Sequence, residues 1–196
     1  MTGFTRHRKS RLVIANFSGF EADLLRSLAG QLVELLRNEA AVPRDDMDPF
    51  EALMDFSGPT QEPEDPVLAR LFPTAYPADP EAAAEFRRFT EGTLRDGKAK
   101  AAIAIIDGLE EAGLPSELKE EGLMIDVELD EAEAETWMRS FTDLRLALAT
   151  RLGVEEGDED VWAAMPDDDP RGQAHDIYDW VGYLQETLVA ALMDRV

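Results

Sequence analysis

The chain contains no cysteine. That absence removes disulfides, thiolate metal sites, cysteine nucleophiles and thiol redox sensing together, so stability must come from packing and a cytoplasmic location is expected. Histidine is nearly as scarce: His7 and His175 are the two in 196 residues, and they cannot supply the Glu-x-x-His motifs of a di-iron helical bundle. Positive charge is sparse as well. Nineteen Lys and Arg stand against 42 Asp and Glu, a net charge of −23. DNA and RNA bind proteins mainly by releasing counterions to basic side chains, so direct nucleic-acid binding is not expected. Long apolar runs are missing too. The longest clean one, Ala101 to Ile106, falls far short of the about 20 residues of a membrane span. The basic start Arg6-His7-Arg8-Lys9 precedes only Leu12 to Ala15, so neither a signal peptide, a transmembrane helix nor a membrane partner is expected. No Gly-x-Ser-x-Gly elbow, phosphate-binding glycine-rich loop or His-Glu-x-x-His helix occurs. The reading therefore leans away from an enzyme and assigns no catalytic residue, metal ligand or cofactor.

What is present points to helices. At 21.8 kDa and 44% hydrophobic residues the chain can bury one real core. Residues 1–10, which hold Arg6, Arg8 and Lys9, read as a mobile basic tail, and residues 11–196 as a single helical domain. Asp-Pro recurs at Asp48-Pro49, Asp65-Pro66, Asp79-Pro80 and Asp169-Pro170, each followed by helix-compatible sequence. Asp caps an orphan amide, and Pro suits the first helical position because its missing N–H costs nothing there. Ser18-x-x-Glu21 and Asp130-x-x-Glu133 have capping-box spacing. The predicted fold class is mainly α, a helical bundle with a small two-stranded β element.

Helical periodicity places Leu25, Leu28, Leu32, Leu35 and Leu36 on one face of a helix from about Ser18 to Asn38. It places Trp137, Phe141, Leu144, Leu148 and Leu152 on one face over Asp130 to Leu152, and Ile177, Val181, Leu184, Leu188 and Leu192 over Arg171 to Asp194. A long helix over Asp79 to Ala112 is expected to turn Phe86, Phe89, Leu94, Ile103 and Ile106 inward, with a kink or break near Gly92 and Gly97. Arg11 to Phe17 is β-branched and apolar, and Leu123, Ile125, Val127 and Leu129 alternate with Met124, Asp126 and Glu128, so these two segments are expected to pair as strands. Each runs into a capped helix, and Arg26-Ser27-Leu28 parallels Arg139-Ser140-Phe141 as a faint internal repeat.

Several clusters invite functional readings. Glu155 to Asp169 holds eight carboxylates and no base. It does not match the calcium-loop pattern, so an exposed loop is the plainer reading, with Trp162 and Met165 marking a short docked helix. His175 near Asp176 and Asp179 could serve as an acid–base group, against which stands simple packing at a helix start. Arg87, Arg88, Arg139, Arg145 and Arg151 stand out in so acidic a chain as a candidate recognition patch. Surface pairs at i, i+4, Glu91 with Arg95 and Glu135 with Arg139, account for part of it. Glu64 to Tyr76 carries Leu68, Leu71, Phe72 and Tyr76 and must either dock on the bundle or meet a partner; Leu68, Phe72 and Tyr76 are the candidate contacts.

The stretches EDPVLARLFPTAYPADPEAAAEFRRFTEGTLRDGKAKAA (64–102), VELDEAEAETWMRSFTDLRLALATRLGV (127–154) and LLRSLAGQLVELL (24–36) together resemble an actinobacterial domain-of-unknown-function family, number two thousand and seventeen, which includes AosR-type oxidative-stress regulators. The resemblance implies a cytoplasmic protein that works by partnering the transcription machinery through a sigma factor. It also implies a cysteine-pair switch in such regulators, for which this chain has no residues. The expected function is thus a non-enzymatic regulatory protein–protein interaction domain whose protein partner has a basic surface. A small-ligand protein or enzyme with a carboxylate/arginine pocket, and a homodimer through the Trp137 or Trp180 helices, are the alternatives.

Overall fold

The computed structural model describes residues 3–38, 59–118, 122–166 and 168–194. Strict alternation builds its sheet. Strands β1 (Thr5–Arg6), β2 (Val13–Ser18) and β3 (Met124–Leu129) are antiparallel in the order β1-β2-β3. β2 and β3 pair from Val13 opposite Leu129 to Ser18 opposite Met124, which puts Val13, Ala15, Phe17, Ile125, Val127 and Leu129 on the buried face. On the other face Asn16 donates to Asp126. The expected strand pair is present, widened by a third strand.

That third strand corrects the expected tail. Phe4 is 3% exposed, with its ring 5.8, 6.1 and 6.0 Å from those of Phe17, Trp137 and Phe141. Its N–H donates to Thr187 Oγ1 at 3.1 Å, and Arg6 reaches the carbonyls of Ala191 and Leu192. The charge of Arg6, Arg8 and Lys9 suggested solvation, but a buried aromatic ring dominates the local balance.

Six helices follow from the caps among the described residues. α1 (Gly19–Asn38) starts directly after β2, where Ser18 and Glu21 cap each other's amides. α2 (Pro66–Leu71), α3 (Pro80–Glu111) and α6 (Pro170–Met193) begin at Asp65, Asp79 and Asp169, each accepting from backbone N–H groups with Pro at the first position. α4 (Glu131–Leu152) has the full capping box of Asp130 and Glu133, and α5 (Glu159–Ala163) is the short helix expected around Trp162. The Asp48-Pro49 start lies outside the described residues. α1 packs on α3, α3 on α4 and α4 on α6, with α2 laid against α4. Trp137, Phe141, Leu144, Val181, Leu184 and Leu188 are buried as expected. None of the described helices is long and apolar enough to cross a membrane.

α3 departs from its expected phase. It is continuous through Gly92 and Gly97, and Phe86, Phe89 and Leu94 are exposed while Ile103 and Ile106 are partly buried. The buried stripe is Arg87, Glu91, Arg95, Ala99, Ala102, Ile105 and Leu109. A helix can bury only one stripe, and the tightly packed Ala99-to-Leu109 half sets its phase, which carries three charged residues inward upstream. The Glu91–Arg95 pair expected on the surface is therefore a buried cluster. Glu91 is 2% exposed and accepts from Arg87 Nη1 at 2.6 Å and from Arg95 Nε and Nη2 at 2.8 and 2.7 Å. Arg87 also donates twice to the Phe72 carbonyl, and Arg95 donates to that of Leu36 in the last turn of α1. Both carbonyls lie at helix ends that lack intrahelical donors, so the cluster ties α1 and α2 to α3.

Candidate functional site

A cleft of about 790 Å³ is bounded by α4, the loop after it, α5 and α6. Its local structure follows from four residues. Gly153 ends α4 in the left-handed region (φ 72°), with its N–H on the Ala149 carbonyl, and so turns the acidic loop back over the helix end. Asp158 then accepts from the Glu155 N–H at 2.8 Å and the Trp162 indole N–H at 2.7 Å, which fixes the loop to α5. Trp162 lies flat on His175 at 4.5 Å and 15°, and this docks α5 on α6.

The stacking continues along the cleft. Arg171 sits over Trp162, His175 is 5.5 Å from Tyr178, and the Arg145 guanidinium covers the Tyr178 ring at 5.4 Å. Arg145 Nη1 donates to Gln185 Oε1 at 3.0 Å, and Gln185 in turn donates to Thr142. Arg145 also rests against Gly182, where a Cβ would stand 3.4 Å from Nε. Buried Nε has no acceptor among the described residues. The remaining wall carries six carboxylates, Glu155, Glu156, Asp158, Glu159, Asp176 and Asp179, together with Arg70 and the apolar Leu146, Ala149 and Val154. The Glu155 N–H bond, resisted by a small desolvation and helped by Trp162 and by His175, holds the Asp158 carboxyl below the usual range. His175 packs between rings, with Nδ1 3.5 Å from Asp179, as the plainer sequence reading has it. Among the described residues no group of three or more Asp, Glu and His is placed to hold a metal ion.

The expected arginine patch is dispersed. Arg87 is buried in the Glu91 cluster, exposed Arg88 lies over Phe89, and Arg139 donates to Thr136 rather than pairing with Glu135. Arg145 is in the cleft, and Arg151 pairs with Asp65 at 2.6 Å. The Glu64-to-Tyr76 segment docks: Leu68 and Phe72 are buried, and Arg95 covers the Phe72 ring at 4.7 Å. Of its candidate contacts only Tyr76 is exposed, edge-on to Phe86. Of the eight candidates, only Arg145 belongs to the cleft. Tyr178, Gly182 and Gln185 were missed because nothing local in α6 announces that they hold an arginine from α4.

The Asp65–Arg151 pair carries a pH signature. Burial alone would raise the Asp65 carboxyl, but the Arg151 bond, the N–H groups of Val67 and Leu68, and the Arg151 charge outweigh it and hold it below its ordinary value. A depressed carboxylate contributes stability that is present above its unfolded value of about 3.9 and lost as pH falls through the folded one. Arg151→Gln is expected to cost less than about 1 kcal/mol at neutral pH, because Arg151 is exposed. The difference from the parent closes as pH falls through that window, read by urea unfolding at stepped pH.

The family model "Domain of unknown function (DUF2017)" matches residues 1–192. The AosR protein of Mycobacterium leprae (strain TN) is 34% identical over 187 residues, covering 88% of this chain and 79% of its own length. The oxidative stress regulators AosR of Mycobacterium tuberculosis H37Rv and Mycobacterium bovis are each 31% identical over 188 residues, covering 88% of this chain and 78% of theirs. No solved structure matches the chain. With the model spanning the sheet, the helices and the cleft alike, the chain belongs to the DUF2017 family, as do its AosR-like relatives in Actinobacteria.

Proposed function

We propose that this chain is a non-enzymatic regulatory domain that acts on the transcription machinery by binding a basic surface of a sigma factor or of RNA polymerase, without a cysteine switch of its own. The observation that carries this reading is where the cations go. Arg87 and Arg95 are consumed by Glu91, Lys98 by Asp143, Arg26 by Asp23 and Arg151 by Asp65. These five cations are spent on four carboxylates, and with 42 Asp and Glu against 19 Lys and Arg the rest is dominated by carboxylates, which attract a basic partner at a distance and repel nucleic acid. The relatives named as oxidative stress regulators support a regulatory role, and with no cysteine in the chain that role is proposed without thiol sensing by its own residues.

The test is binding of the full chain to purified actinobacterial sigma factors and core polymerase at about 50 and about 300 mM salt. The expected result is a complex with at least one of them that weakens about tenfold or more at the higher salt, mainly through a slower association rate. A salt-independent complex, or none with any of these proteins, sinks the reading. A second reading, a small-ligand protein, draws on the cleft, where Arg145 and His175 meet several acids. Thermal stabilisation by a small molecule that Arg145→Gln abolishes would favour it.

A further inference from the structure

Arg145 differs from the other inward-reaching cations. Arg87, Arg95 and Lys98 each touch a carboxylate, whereas the acceptors of Arg145 among the described residues are the neutral Gln185 Oε1 and, at 3.5 Å, the Tyr178 hydroxyl. A guanidinium has five N–H donors and pairs best with a carboxylate in two parallel bonds. Most of that capacity is unused here. The group is also held in place by the Tyr178 ring and by Gly182 one turn further along α6, together with its bond to Gln185, so part of its ordering precedes any ligand. It faces a cleft whose other charged groups are mostly acids, Glu155, Glu156, Asp158, Glu159, Asp176 and Asp179 against the one further arginine, Arg70.

From this we infer that the cleft is the docking site for a basic segment of the protein partner, and that this segment carries one acidic side chain among its lysines and arginines. The acidic side chain pairs with Arg145, and the flanking cations meet the carboxylates of the acidic loop and α6. The two signs together select. A uniformly acidic segment is repelled by the walls, and a uniformly basic one sets its cations against Arg145 and leaves that group without a carboxylate. A cleft of about 790 Å³ has room for several side chains, and because Arg171 and Arg145 already cover Trp162 and Tyr178, the carboxylates are what remains to receive the segment's cations. This inference rests on the regulatory-partner reading and adds the surface and the ligand pattern.

The experiment selects random peptides of about twelve residues on the immobilised full chain, a length typical of segments that dock in grooves. Chosen peptides and their Glu/Asp→Gln/Asn counterparts are then titrated against the parent, Arg145→Gln and Arg145→Lys by fluorescence anisotropy, with thermal melts confirming that the variants fold. The expected binders are basic with one recurrent acidic position. For these, Arg145→Gln weakens binding about tenfold, the peptide's own amide substitution weakens it equally, and the two losses do not add. Arg145→Lys recovers part of the affinity, and a triple Glu155→Gln, Glu156→Gln, Glu159→Gln variant loses the preference for basic peptides. Basic peptides that bind the parent and Arg145→Gln equally overturn the inference while leaving the regulatory reading intact. So does a sigma-factor complex that forms when no basic peptide is selected, or that Arg145→Gln leaves unchanged. Failure of both peptides and transcription proteins to bind overturns both readings.

Discussion

Glu91→Leu is expected to lower the free energy of unfolding by about 3–5 kcal/mol, the cost of leaving buried charges without their counter-ion. Two arginines converge on this carboxylate, which is 2% exposed, while Arg87 and Arg95 are 7% and 6% exposed. Removing Glu91 leaves both guanidiniums desolvated, and neither can reach water without abandoning the Phe72 or Leu36 carbonyl it serves. The pair-wise attraction itself is not the source of this number. Replacing all three residues by Met or Leu removes the charges together, and buried ion pairs treated this way often cost little or even stabilise. Here the triple variant recovers only part of the loss, because two helix-end carbonyls lose their donors, at about 1–3 kcal/mol for each buried group left unmade. Urea unfolding followed by circular dichroism ranks parent, triple variant and Glu91→Leu in that order of stability. A loss below about 1 kcal/mol for Glu91→Leu would mean that water screens the cluster.

Phe4→Ala is expected to cost about 3–5 kcal/mol, as for other fully buried aromatic rings truncated to Ala. A free basic tail would respond within about 0.5 kcal/mol, so the outcome separates the two pictures of the chain's start cleanly. The ring touches Phe17 on β2 and both Trp137 and Phe141 on α4, and its loss opens a cavity between the sheet and the bundle. The near-ultraviolet circular dichroism of Trp137 should weaken in parallel, which ties the loss to this cluster rather than to general loosening.

Much of the fold was legible because it rests on short-range rules. Ser18 with Glu21, Asp130 with Glu133, and three Asp-Pro pairs announce helix starts by chemistry that operates within four residues. The alternation of Ile125, Val127 and Leu129 announces a strand with one buried face. α3 misled because its exposed aromatics Phe86 and Phe89 outweighed the correct signal, the unbroken i, i+4 seam Arg87-Glu91-Arg95-Ala99 that continues into Ala102, Ile105 and Leu109. Hydrophobicity alone discards charged residues from a seam, and only their mutual neutralisation restores them to it. The cleft was illegible for a different reason. Arg145 is separated from Tyr178 and Gln185 by 33 and 40 positions, and spacing of that size carries no periodic signal. Asp143 was hidden likewise: deep burial pushes its carboxyl up, and Lys98 from α3 offsets only part of the shift.

The hydrogen bond from Phe4 to Thr187 joins residues 183 positions apart, and that separation governs the order in which the molecule can be made. A ribosome delivers β1 and β2 before α4 and α6, at about 5–20 residues per second. β2 waits for β3, and Phe4 waits for both α4 and α6, so a segment made before these helices completes its contacts only after them. Contacts this distant slow the search for the native state. Until β3 emerges one edge of β2 is unpaired, and until α4 and α6 follow the Phe4 ring lacks most of its cover, so in the finished fold β1 and α6 hold each other across the whole of the intervening structure.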